Sequence, residues 1–143
     1  MEKILPELMG KVIGRALVLS LVHAVFLRAA AQWIAKVKVP YKKAYGLTFL
    51  IAVVGGIFMT LFGFTASYLP FTPAIFTLLN LIVSLILVTV LATGVYGTAI
   101  KNKDETPIGI RKGFFTALVH MGLGLCVMGV VILVVFVGMK MIK

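Results

Sequence analysis

The stretch AYGLTFLIAVVGGIFMTLFGFTASYLPFTPAIFTLLNLIVSLILVTVLATGVYGTAI (residues 44–100) contains no Asp, Glu, Lys or Arg over 57 consecutive positions. A helix that spans the hydrocarbon core of a bilayer needs about 20 apolar residues, so this run is long enough for two such helices. Pro70 and Pro73, in the segment SYLPFTP (67–73), predict the turn between them. A second uncharged run, residues 113–139, is long enough for one more span.

The composition of the whole chain also indicates a protein that is embedded in a membrane. Hydrophobic residues make up 62% and charged residues 13% of the 143 positions, whereas soluble domains have about 45–50% and about 25%. We therefore predict an all-α membrane protein, a single integral membrane domain that forms a four-transmembrane-helix bundle. The predicted spans are residues 12–35, 45–66, 74–99 and 113–138.

The N-terminal segment is predicted to form a short amphipathic helix over residues 2–10. Ile4, Leu5 and Leu8 fall on one helical face, and Glu2 and Glu7 lie elsewhere. We expect this segment to lie along the lipid headgroups before the first span enters the bilayer.

The basic residues predict how the chain is oriented. The two loops on one side of the predicted bundle, 36–44 and 100–112, hold eight of them: Lys36, Lys38, Lys42, Lys43, Lys101, Lys103, Arg111 and Lys112. The side with both termini holds five, so the positive-inside rule predicts cytoplasmic loops and external termini, in a bacterial or archaeal plasma membrane. These side chains are expected to contact lipid headgroups or a partner. Since they flank the apolar runs, the net charge of +10 does not indicate nucleic-acid binding.

The two basic loops share an order of features that is consistent with a duplicated helical hairpin. In each, Lys-x-Lys is followed by a proline, a basic pair and a small residue that opens an apolar helix. The pair Lys42–Lys43 precedes Ala44 in the same way as Arg111–Lys112 precedes Gly113. The alternative is that cytoplasmic loops in general collect lysines and a proline.

Small residues four apart predict the faces on which the helices pack, because close backbone approach stabilises helix pairs in a bilayer. The fourth span has two such faces, which predicts two neighbours, within this chain or in another one. The predicted packing residues are Ala16, Ser20, Ala24, Ala52, Gly56, Thr60, Gly122, Gly124 and Gly129.

Five polar residues within the spans are candidate functional residues, since ionisable groups are costly in hydrocarbon. They are His23, Arg28, Gln32, Asn80 and His120. Both histidines fall on the small-residue faces of their helices, which predicts that they point towards protein. Three hypotheses stay open: interhelical hydrogen bonds to backbone or hydroxyl groups, axial ligation of a b-type haem, and proton relay or substrate binding. The predicted spans put the two histidines at depths that differ by roughly 8 Å.

The other polar side chains have simpler predicted roles near the two membrane surfaces. Arg28 is expected to reach the cytoplasmic interface, with Gln32 beside it. Asn80 is a candidate for an interhelical hydrogen bond. The aromatic residues Trp33, Tyr41, Tyr45 and Tyr96 are predicted to form a belt at the cytoplasmic interface.

No set of residues in the sequence indicates catalysis or a metal site. The chain has no Ser/His/acid set, no metal-ligand spacing and no acidic residue in any predicted span, and its one cysteine, Cys126, is expected to be a small buried side chain. We therefore expect a protein that is not an enzyme and that has no cofactor, haem b excepted.

Three function hypotheses follow from these observations. The first is a non-catalytic integral subunit, or a self-associating structural protein, of a larger membrane complex, whose partners are lipids and other subunits or copies of itself. The alternative is a small oligomeric channel or carrier with a polar path near His23 and His120. The second alternative is a haem-binding electron-transfer subunit with those two histidines as ligands.

Overall fold

Each predicted span is one continuous α-helix in the structure, a computed structural model that describes residues 4–66, 68 and 72–141. The helices are α1 (Ile4–Ile34), α2 (Tyr41–Ala66), α3 (Pro73–Ala99) and α4 (Gly109–Met141). All four are long and apolar enough to cross a membrane. The predicted fold class, an all-α membrane protein with four spanning helices, is confirmed. The predicted turn at 67–73 lies mostly outside the described residues.

The starts of three helices differ from the prediction; α2 begins at Tyr41 and not at 45, so Lys42 and Lys43 belong to its first turn. The described part of the predicted interfacial segment is the start of α1 and not a separate helix, because Pro6 lies in the first turn, where proline is tolerated, and no strong helix breaker follows it. α4 starts at Gly109 and not at 113, so Arg111 and Lys112 belong to its first turns. The end of an uncharged run therefore does not mark the end of a helix, since the backbone hydrogen bonds continue through charged positions.

The four helices form an antiparallel bundle in which each helix packs against two neighbours. α1 lies between α2 and α4, and α3 lies on the other side of the same two helices. Hydrogen bonds across the bundle show the register: Thr48 Oγ1 donates to the Ser20 carbonyl (3.3 Å) in the α1–α2 pair. The two connecting loops lie at one end, which we call the loop end. The α2–α3 turn lies at the other, the far end.

The tightly packed part of the bundle is at the loop end. Its largest fully buried side chains are Leu27, Tyr96, Ile100, Thr116 and Ser20. The loop before α4 is closed by backbone hydrogen bonds, among them Ile108 N to Ile100 O at 2.9 Å. Towards the far end the bundle opens, and every residue of α4 from 125 to 137 is exposed.

The closest contact between helices joins α3 and α4 at two glycines. A Cβ atom added to Gly113 would lie 2.7 Å from the Gly97 nitrogen and 2.7 Å from the Thr93 carbonyl oxygen. Only a glycine leaves room for this approach, which holds the start of α4 against the end of α3.

The predicted packing residues fall into two groups. The packing residues of α1 are buried, and Ala52 of α2 is half-buried. A Cβ on Gly56 would lie 2.9 Å from a Val12 methyl group, so α1 and α2 are close here. Gly124 of α4 faces the ring of His23. Thr60 donates a hydrogen bond to the carbonyl of Gly56 within its own helix.

The second small face of α4 behaves differently. A Cβ on Gly122 or Gly129 would meet no atom within 4 Å, so this face packs against nothing in the described chain. A neighbour in another chain stays a prediction. Cys126 is exposed on the same half of α4, so the expectation that it is buried is wrong.

Candidate functional site

The two histidines of the spans meet across the α1–α4 contact. His23 Nδ1 lies 2.9 Å from His120 Nε2, which is hydrogen-bond distance, and the rings are nearly perpendicular. His120 is buried and His23 is half-buried. The prediction that both point towards protein is confirmed.

The predicted depth difference between these histidines is wrong, and the early start of α4 explains the error. His23 lies eleven residues before the end of α1 at Ile34, and His120 lies eleven residues after the start of α4 at Gly109. At about 1.5 Å per residue both lie roughly 16 Å from the loop ends of their helices. Antiparallel packing therefore brings them to the same level.

Tyr96 of α3 completes the cluster. Its hydroxyl oxygen lies 2.8 Å from His120 Nδ1, and the whole side chain is buried. Side chains on a helix lean towards its N-terminus, so Tyr96 on α3 and His120 on α4 lean towards each other. We refer to His23, His120 and Tyr96 as the histidine–tyrosine cluster.

Sequence reasoning missed the role of Tyr96 because tyrosine near a membrane surface is typical of the aromatic belt. The prediction that it belongs to this belt is wrong, whereas Trp33 and Tyr41 are exposed near the loop end as expected. One signal was present: Tyr96 follows Thr93 by three positions and precedes Gly97, so it shares the small-residue face of α3.

The cluster is a hydrogen-bonded chain that can run in either direction. If the Tyr96 hydroxyl donates to His120 Nδ1, then His120 Nε2–H donates to His23 Nδ1, and His23 carries its proton on Nε2. If every bond is reversed, His23 Nε2 carries a lone pair instead. In both forms His23 is the end of the chain, and its Nε2 can act as a donor or an acceptor.

Two neighbouring cavities adjoin the cluster. The axial cavity, about 250 Å³, is lined by all four helices and includes His23, Tyr96 and His120. The lateral cavity, about 430 Å³, lies between α1, α3 and α4 near the middle of the bundle. Leu19, His23, Ser84, Val88 and Met121 line both cavities.

The lateral cavity is almost entirely apolar. Besides His23, only Ser84 contributes a polar side chain to its lining, and Ser84 directs its hydroxyl to the sulfur of Met59 at 3.4 Å. Packed side chains such as Leu27 and Ile100 close the bundle at the loop end. The cavity therefore offers a molecule an apolar space in which the His23 imidazole is the one hydrogen-bonding group besides the Ser84 hydroxyl.

The distance between the facing nitrogens of the two histidines indicates whether they could hold a metal ion between them. Axial ligation of a haem iron places two imidazole nitrogens on opposite sides of the metal, about 4 Å apart, since each metal–nitrogen bond is about 2 Å long. The facing nitrogens here are 2.9 Å apart and are hydrogen-bonded to each other. Among the described residues, no three His, Cys, Asp or Glu side chains form a group that could hold a metal ion.

The other candidate residues lie away from the cluster. Arg28 donates from Nε to the Val39 carbonyl at 3.1 Å, and Gln32 lines a pocket beside it. Asn80 is on α3 in the far half, and its Oδ1 is buried without a hydrogen-bond partner among the described residues. The eight basic residues of the loops and of the first turns of α2 and α4 are all exposed at the loop end.

No protein-family model, no curated protein and no solved structure matches this chain.

Proposed function

We propose that this chain is a small membrane carrier or binding protein for a largely apolar molecule that it takes up from the bilayer. The observation that supports this is the end of the histidine–tyrosine cluster, His23, in the wall of an apolar cavity. A ligand of matching chemistry has an apolar body and one carbonyl or hydroxyl group, which would hydrogen-bond to His23 Nε2.

The packing favours a carrier or a binding protein over an open channel. A channel needs a continuous polar path through the bundle, but the loop end is closed by buried side chains such as Leu27 and Thr116. The lateral cavity lies beside the part of α4 where every residue from 125 to 137 is exposed. A carrier would have to open the loop end in a second conformation, whereas a binding protein would release its ligand by the way it entered.

The proposal is tested by extracting the protein in mild detergent and identifying the lipophilic compounds that co-purify with it by mass spectrometry. We expect an oxygen-containing apolar compound with the unmodified chain and a loss of it in His23→Phe, which keeps the apolar volume and removes the hydrogen-bonding group. Thr98→Val is the matched control, because Thr98 is exposed and its hydroxyl bonds its own helix at Gly94. Identical extracts from the unmodified chain and from His23→Phe would contradict the proposal.

The basic residues support an orientation for the proposed carrier. Both loops lie at one end of the bundle and carry the exposed lysines and arginines, which favours a cytoplasmic loop end with both termini outside. The exposed far half of α4, beside the cavity, would then lie in the outer half of the bilayer. We infer a bacterial or archaeal plasma membrane from the same rule.

A second candidate function is a subunit of a larger membrane complex, or of an assembly of copies of this chain. It is favoured by α4, whose residues 125 to 137 are all exposed and mostly apolar. Extraction from the native membrane, a native gel and mass spectrometry of co-migrating chains test this candidate. Stoichiometric partners would support it, and a bare monomer would contradict it.

A further inference from the structure

The loop end holds a polar pocket that the proposed carrier function does not use. In the α1–α2 pair, Thr48 meets Ser20 and Gly56 meets Val12. Both helices rise by the same distance per residue and run antiparallel. This register therefore places residue 40 at the same height as residue 28 of α1. The last two turns of α1 therefore extend past the start of α2, and residues 35–40 return along them.

The return of the chain is held by backbone and side-chain contacts. Lys36 adopts a left-handed conformation, with φ of 59°, and Val37 N–H donates back to the Ala31 carbonyl at 3.4 Å. Arg28 donates from Nε to the Val39 carbonyl at 3.1 Å. The guanidinium is thereby held at one nitrogen, and its two terminal amino groups bond no residue that the structure describes.

Between these elements lies a pocket of about 440 Å³, lined by Arg28, Ala29, Gln32, Lys38 and Val39. Its polar side chains are two cations and an amide, and it contains no acid. Within the described part of the chain, the single ion pair is Lys11 with Glu7, on the far half of α1. No acidic side chain among the described residues therefore pairs with Arg28 or Lys38.

We propose that this pocket binds the phosphate of an anionic phospholipid. The terminal nitrogens of Arg28 match two phosphate oxygens, the Lys38 ammonium adds a point charge, and the Gln32 amide can donate a further hydrogen bond. The methyl side chain of Ala29 leaves the space that the phosphate group would fill. Six residues of helix separate Arg28 from the end of α1, which is a distance of roughly 9 Å. From this depth its long side chain reaches the headgroup layer.

The inference is tested with Trp33, which is the one tryptophan of the chain, is exposed and follows Gln32 in sequence. The full chain is reconstituted in phosphatidylcholine with increasing amounts of brominated phosphatidylglycerol, and bromine quenching of Trp33 fluorescence is measured. We expect quenching to saturate at a low fraction of the anionic lipid. Arg28→Gln and Lys38→Gln should require about tenfold more of it, since each removes a charged hydrogen bond.

Two further variants separate a built pocket from general attraction between charges. Lys112→Gln removes one exposed charge at the same end of the bundle and should leave the titration unchanged. Ala29→Leu keeps every charge but fills the pocket, and should shift the titration as Arg28→Gln does. Lys38 is exposed, so its loss tests binding without disturbing the core.

Three outcomes would overturn the inference. One is an equal shift in Lys112→Gln and Lys38→Gln, which would show diffuse electrostatics. Another is a titration that none of the pocket variants changes. The third is complete relief of quenching by added inorganic phosphate at the concentration of the lipid, which would identify a site for the free anion.

Discussion

At the scale of single residues, the histidine–tyrosine cluster joins three helices through two hydrogen bonds. His120 on α4 uses both ring nitrogens, one towards His23 on α1 and the other towards Tyr96 on α3. In a medium without water, such groups stay paired because a buried polar atom without a partner is costly. The cluster therefore stabilises the bundle and also fixes the orientation of the His23 ring at the cavity wall.

Tyr96→Phe is expected to destabilise the bundle by about 1 kcal/mol, because it leaves His120 Nδ1 buried without its partner. The free energy of unfolding in mixed detergent micelles measures the effect. Tyr68→Phe is the matched control, since Tyr68 is 74% exposed and should lose nothing. Equal stability of Tyr96→Phe and the unmodified chain would contradict the assigned hydrogen bond.

At the scale of the helix, the uncharged runs predicted the number and type of elements, and the exact start of α4 decided the site. A run without charge predicts that a span is present, since charges are excluded from hydrocarbon. The start of the helix depends on Gly109, with φ of 82°, and on the closed loop before it. Neither feature can be read from hydropathy, so the four added residues of α4, and the meeting of His23 with His120, could not be predicted.

The α3–α4 contact is expected to be the helix contact that is most sensitive to added side-chain volume. In Gly113→Ala the new Cβ would lie 2.7 Å from backbone atoms of Gly97 and Thr93, which cannot move aside as a side chain can. We expect a loss of about 2 kcal/mol in the free energy of unfolding. Gly122→Ala is the control on the same helix, because its Cβ would meet nothing within 4 Å. A loss of equal size in both variants would contradict the close glycine contact.

The two halves of α4 are expected to differ in local stability. Residues 113, 116, 117 and 120 are buried against other helices, whereas residues 125 to 137 are all exposed. Segments with few buried contacts open more readily. Hydrogen exchange in mild detergent, followed by mass spectrometry of peptides, should show faster exchange in the far half. Uniform protection along α4 of the monomer would contradict the open far half of the bundle.

At the scale of the whole molecule, the bundle has a closed loop end and an open far end. The half towards the loops holds the largest fully buried side chains, the α3–α4 glycine contact and the histidine–tyrosine cluster. The lateral cavity lies near the middle of the bundle, and the exposed part of α4 lies in the other half. A partner within the membrane would therefore meet the far half of α4, whereas headgroups and basic side chains meet at the loop end.

The orientation of this asymmetric bundle can be measured with single cysteines. In a Cys126→Ser background, Lys103→Cys places a thiol in the exposed loop before α4, and Tyr68→Cys places one in the turn at the far end. Because basic loops are retained in the cytoplasm, we expect a membrane-impermeant maleimide to label Tyr68→Cys in intact cells and to label Lys103→Cys only after the membrane is permeabilised. Cys126→Ser alone is the control for background labelling. The reverse pattern would mean that the exposed far half of α4 lies in the cytoplasmic half of the bilayer, and that the phosphate pocket faces the outer leaflet.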